Sequence, residues 1–125
     1  MPHKSVNVTV MQKNIFYTLR LIQLNCYLAD ENDADEIFIK HEGKKIWPEG
    51  KYVKIKDGSI DIKKEIKVEK GKSALFEIWD YDLFSPNDLL GTVTILADNM
   101  GGPYTSDMVK KDKGNSRYSI QWEIN

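Results

Sequence analysis

The sequence predicts an all-β domain, an eight-stranded antiparallel β-sandwich, and three observations carry that expectation. Apolar and polar residues alternate with a period of two in several separate segments, the mark of half-buried strands. Turn-forming pairs stand between those segments at short intervals, as in sandwiches. Helical periodicity is nearly absent. The length agrees, since 125 residues suit a single domain over 1–125, a typical domain holding roughly 100 to 150 residues around its own core. Hydrophobic residues make up 41% and charged residues 30% of the chain, too apolar for intrinsic disorder.

Taken in order, the first strand is expected at Val6, Val8 and Val10. A longer one follows at 16–28, where apolar parity shifts from Tyr17, Leu19 and Leu21 to Ile22, Leu24, Cys26 and Leu28, which predicts a bulge or a strand buried on both faces. Further strands are expected at 36–41, 51–56, 60–68, 74–79 and 91–97, and the last carries Tyr118, Ile120, Trp122 and Ile124 on one face. Asp57-Gly58 predicts a hairpin because both residues tolerate positive φ. Lys70-Gly71 predicts another turn. The stretch 98–116 reads as the longest irregular piece, with room for one helical turn.

Composition also narrows function. A net charge of −1 and a pI near 6.1 supply no global attraction for nucleic acid. The one cysteine, Cys26, has no partner for an internal disulfide, which favours a reducing, cytoplasmic setting. No signal peptide or transmembrane segment is read in the sequence, which leaves peripheral membrane association open. Signatures of catalysis are missing as well. Gly71-Lys72-Ser73 ends like a phosphate-binding loop, but Ile66 occupies the place of its first glycine. His3 and His41 have no HExxH-like partner, and there is no Gly-x-Ser-x-Gly elbow. The expectation is a binding module with no small-molecule substrate.

The informative stretch is 76–95, FEIWDYDLFSPNDLLGTVTI. A strand runs into Asp80, and a loop with Asp82 and Asp88 follows. Calcium takes six to eight oxygens, so a site needs several carboxylates converging from a loop that folds around the ion. Ser85, Pro86 and Asn87 are turn formers that would return Asp88 toward Asp80 and Asp82. A second acidic cluster, DENDADE, lies at 30–36. In a sandwich the loops gather at the ends, so the two clusters are expected to face each other. Surface aspartates in turns are the simpler explanation for any one pair; spacing, flanks and the second cluster together favour calcium. Leu83 and Phe84 at the apex suit either local packing or insertion into a lipid interface.

At this point the chain resembles the C2 domains of synaptotagmins, protein kinase C and related calcium- and phospholipid-binding proteins. WDYDLFSPNDLLG is similar to that family's third calcium loop, and DEIFIK, at 35–40, resembles the Asp-Pro-Tyr stretch that closes its first loop. Glu36 and Ile37 stand where the family usually has Pro and Tyr, and the first loop is shorter than the common form. Either Asp30 or Asp33 is left to partner Asp35, with Asp30 preferred. Residues 44–58 lack the family's usual Asn-Pro-x-Trp stretch.

The combined reading is that Asp30, Asp35, Asp80, Asp82 and Asp88 bind one to three Ca2+ ions, and that Leu83 and Phe84 contact the membrane. Calcium would cancel carboxylate repulsion and bridge to phosphates of an anionic phospholipid surface. The rival reading is a calcium-independent protein-interaction or scaffold module, a subunit of a larger assembly. Lys51, Lys54 and Lys56, with Lys63, Lys64 and Lys67, are read first as solvated strand edges and second as a basic face for phosphoinositides or an acidic partner.

Overall fold

The computed structural model describes residues 14–30, 33–110 and 114–125. Its strands are β1 (Phe16–Leu28), β2 (Asp35–His41), β3 (Lys44–Trp47), β4 (Val53–Ile55), β5 (Gly58–Glu69), β6 (Ser73–Asp80), β7 (Asp88–Leu96), β8 (Gly101–Asp107), β9 (Val109–Lys110) and β10 (Arg117–Ile124). A four-stranded sheet runs β5-β1-β10-β8. A six-stranded sheet runs β3-β2-β6-β7-β9, with β4 also paired to β2. Every pairing is antiparallel, and the described residues contain no helix. The expected sandwich is therefore present, with ten strands among the described residues in place of eight. The strand expected at Val6–Val10 lies outside the described residues.

The parity shift in β1 is a bulge. Leu21 pairs with Trp122 and Gln23 with Gln121, so Ile22 is the extra residue against β10. On the other side β5 answers with two residues, Ile62 and Lys63, between its paired positions, and Lys63 takes φ 54°. The bulge lets Leu19 and Leu21, then Leu24 and Cys26, all face inward. They meet Ile37 and Ile39 of β2, Phe76 and Ile78 of β6, Val93 and Ile95 of β7 and Ile120 and Ile124 of β10 in one apolar layer.

Two expectations about connections change. Asp57-Gly58 closes no hairpin: β4 pairs with β2 in one sheet and β5 with β1 in the other, so the turn carries the chain across the sandwich. Gly58 does take the positive φ expected there, 84°. The tight hairpin lies instead at Glu42-Gly43, both at positive φ, between β2 and β3. The stretch read as irregular holds β8 and β9. β8 adds to the edge of β10, and Tyr104 packs on the Trp122 ring at 4.9 Å.

The connections that follow β1, β4 and β6 gather at one end. Register shows this: Cys26 stands opposite Gly58, Asp35 opposite Ile55, and Ile37 opposite Asp80. Tyr81 N–H donates to the Glu36 carbonyl at 2.8 Å, tying the loop after β6 to the start of β2.

Candidate functional site

The acidic end is built from the chain outward. Asp35 is the first residue of β2 and is fully buried. Its carboxylate accepts from Asp30 N–H, at 3.1 Å to Oδ1 and 2.9 Å to Oδ2, and from the Tyr118 hydroxyl at 2.5 Å. Burial, then the bond to Asp35, pushes the Tyr118 phenol far above its usual range, so it stays a proton donor. Burial also pushes the Cys26 thiol up, and the thiol donates to the Lys56 carbonyl at 3.3 Å. Asp30 accepts from Asn115 N–H at 3.1 Å, while Asp33 is exposed.

Asp80 closes β6, is buried, and accepts from Glu36 N–H at 2.9 Å. Asp88 opens β7 directly opposite it and is exposed. Asp82 organises the loop between them. Its Oδ1 accepts from Phe84 N–H at 2.9 Å and Ser85 N–H at 3.3 Å, and its Oδ2 from the Ser85 hydroxyl at 2.6 Å. The Ser85 hydroxyl and then the Phe84 amide hold the Asp82 carboxyl below its ordinary value. Asp82 N–H donates to Asn87 Oδ1 at 2.8 Å. The same loop presents Leu83 and Phe84 outward, 68% and 94% exposed.

Beside this tip lies a feature that alternation alone did not single out. On the outer face of the six-stranded sheet Phe38 and Trp79 pair across β2 and β6, with ring centroids 6.4 Å apart. Lys40 Nζ stands 4.6 Å from the Trp79 centroid, within cation–π range. Lys51 Nζ stands 5.9 Å from the Tyr81 ring, which stacks on Tyr52 at 5.3 Å. Lys45 donates to the Gly50 carbonyl. Phe38, Lys40, Lys45, Lys51, Tyr81 and Asn87 line a hollow of about 330 Å³. A second hollow of about 560 Å³ adjoins it through Lys51 and Tyr81 and reaches Asp82, Leu83 and Phe84.

This arrangement regroups the lysines. Lys51 joins Lys40 and Lys45, whereas Lys63, Lys64 and Lys67 belong to β5 in the opposite sheet. A signal for the first group was present: Phe38 and Lys40 sit at the off-core positions of β2, between Ile37 and Ile39 and beyond. What the sequence lacked was the register that sets Trp79 opposite Phe38.

No protein-family model and no curated protein matches the sequence. Among solved structures, a C2 domain of plant extended synaptotagmin 1 superposes with a TM-score of 0.56 at 14% identity, covering 91% of this chain and 97% of that one. The chain has the C2 fold. A structure of CC2D1B matches this C2 domain with a TM-score of 0.57 at 16% identity, over 91% of this chain and 55% of that one. Human GIVD cytosolic phospholipase A2 matches at 0.50 and 13% identity, over 90% of this chain and 16% of the enzyme. The C2 domain thus spans about half of the CC2D1B chain and a small part of the phospholipase. Among its described residues no helix is long and apolar enough to cross a membrane.

Proposed function

We propose that this C2 domain attaches reversibly to anionic membrane surfaces, docking with the loop tip of Leu83 and Phe84 and the lysine–aromatic face beside it. The observation that carries the reading is their adjacency: Lys51 and Tyr81 line both the basic hollow and the hollow that reaches Phe84. An apolar tip and a cationic shoulder match the two layers of a lipid interface, acyl chains beneath phosphates. Fully burying a phenylalanine side chain contributes about 1.5–3 kcal/mol, and each lysine near an anionic surface about 1 kcal/mol. Neither term alone anchors a domain, and their sum is of order 5 kcal/mol, an affinity near 0.1–1 mM. Attachment therefore needs both parts and remains reversible.

The net charge of −1 provides no overall attraction, so orientation comes from the local lysines. Cosedimentation with vesicles tests the reading. Binding is expected to vesicles containing phosphatidylserine or a phosphoinositide, to be lost on neutral phosphatidylcholine, and to weaken as salt rises. Phe84→Ala and Lys40→Glu should each lower the bound fraction, by roughly tenfold in affinity for a loss of about 1.4 kcal/mol. Equal binding to neutral and anionic vesicles, or no effect of either substitution, would remove the proposal.

A further inference from the structure

We infer that protein donors take the places at the acidic end that a calcium ion would need, so that these loops hold their shape with no metal bound. Calcium requires six to eight oxygens converging at about 2.3–2.6 Å. Among the described residues, which include Asp30, Asp35, Asp80, Asp82 and Asp88, no group of three or more carboxylate, imidazole or thiol side chains converges to hold a metal. The hydrogen bonds explain why. Asp35 is turned inward at 0% exposure, onto Asp30 N–H and the Tyr118 hydroxyl. Asp80 is turned onto Glu36 N–H. Both oxygens of Asp82 accept from the amides and hydroxyl of its own loop, which fixes their direction within it. Asp30 accepts from Asn115 N–H.

A carboxylate stabilised by fixed N–H and O–H dipoles needs no counter-ion. For calcium to gather these aspartates, Asp35 would have to turn out of the interior and Asp82 away from the loop donors that now direct it. In this arrangement the donor set does not converge as calcium requires, and the aspartate spacing in the loop serves hydrogen bonding. This inference goes beyond membrane docking and stands apart from it, because it is tested without lipid.

Calcium is titrated by calorimetry into the chelator-stripped full chain, and melting is followed in chelator and in millimolar calcium. No saturable heat and an unchanged midpoint are expected; saturable uptake, or a midpoint raised by several degrees, overturns the inference. Asp82→Asn separates the two accounts by sign. If the carboxylate serves loop amides, the substitution lowers the midpoint in chelator and speeds hydrogen exchange at Phe84 and Ser85. A higher midpoint with unchanged exchange would mean relief of repulsion at a metal site and would overturn the inference. Tyr118→Phe adds a further arm: it should lower the midpoint equally with and without calcium, and recovery of that loss by calcium would contradict the inference.

Discussion

Asp35 and Tyr118 lie 83 residues apart and meet inside the sandwich at 2.5 Å, the hydroxyl donating to the carboxylate. Hydrogen bonds to charged groups contribute about 1.5–3 kcal/mol, and an unmet buried acceptor costs more than a lost exposed one. Tyr118→Phe is therefore expected to destabilise by about 2 kcal/mol, a fall of several degrees in Tm, checked by thermal melting. Asp82 offers a pH test. Its folded value is held below the ordinary 3.8, so its contribution to stability is complete above that value and is lost as pH falls through the lower folded one. NMR titration of the Asp82 carboxyl should give a midpoint below 3.8, and a midpoint at or above it contradicts the hydrogen-bonded loop. The aspartates themselves were legible in the sequence, as was the exposed tip. Their partners were not, because spacing along the chain marks acidic clusters but carries no record of which distant amide or hydroxyl meets each oxygen.

At the scale of elements, alternation located β1, β2, β4, β5, β6, β7 and β10 because each contributes side chains to the same apolar layer, β4 as a shorter strand within the expected 51–56. β3 and β8 escaped for physical reasons. β3 has four residues, too few for a period to declare itself, and its hairpin rests on Glu42-Gly43, where a glutamate occupies a positive φ that Asn or Asp usually takes. β8 opens Gly101-Gly102-Pro103, which reads as a breaker, yet the glycines permit close approach to β10. Gly102 has φ 112°, and a Cβ there would lie 3.0 Å from the Trp122 carbonyl and 2.9 Å from the Glu123 side chain. Gly102→Ala is expected to destabilise by about 1–3 kcal/mol through strain and crowding, with early loss of amide protection at Thr105 and Asp107. A midpoint equal to that of the parent chain would show that β8 tolerates the side chain and that its pairing is looser than described.

For the whole molecule, topology decides which charges act together. The turn at 56–57 crosses between sheets, so lysines close in sequence separate: Lys51 faces the Tyr81 hollow, while Lys63, Lys64 and Lys67 stand on β5. Conversely, Lys40, Lys45 and Lys51 come from three segments and converge beside one loop tip. Pattern reading recovers a fold class from each strand's own periodicity, but a surface patch depends on register between strands, which no single segment encodes. The acidic loop lies at the end of the sandwich where docking is proposed, and the docking face proposed for that end is a cationic and aromatic one.

The most direct measurement of that proposal is a residue-resolved map of contact. Backbone amide resonances of the full chain are followed by NMR while anionic nanodiscs are added in the presence of chelator. Perturbation and line broadening are expected to concentrate at Lys40, Lys45, Lys51 and the loop from Tyr81 to Asn87, and neutral nanodiscs to leave them unmoved. Perturbation centred on β5 or β8 with the loop tip unaffected, or a response at the tip that appears after calcium is added and not before, would contradict it.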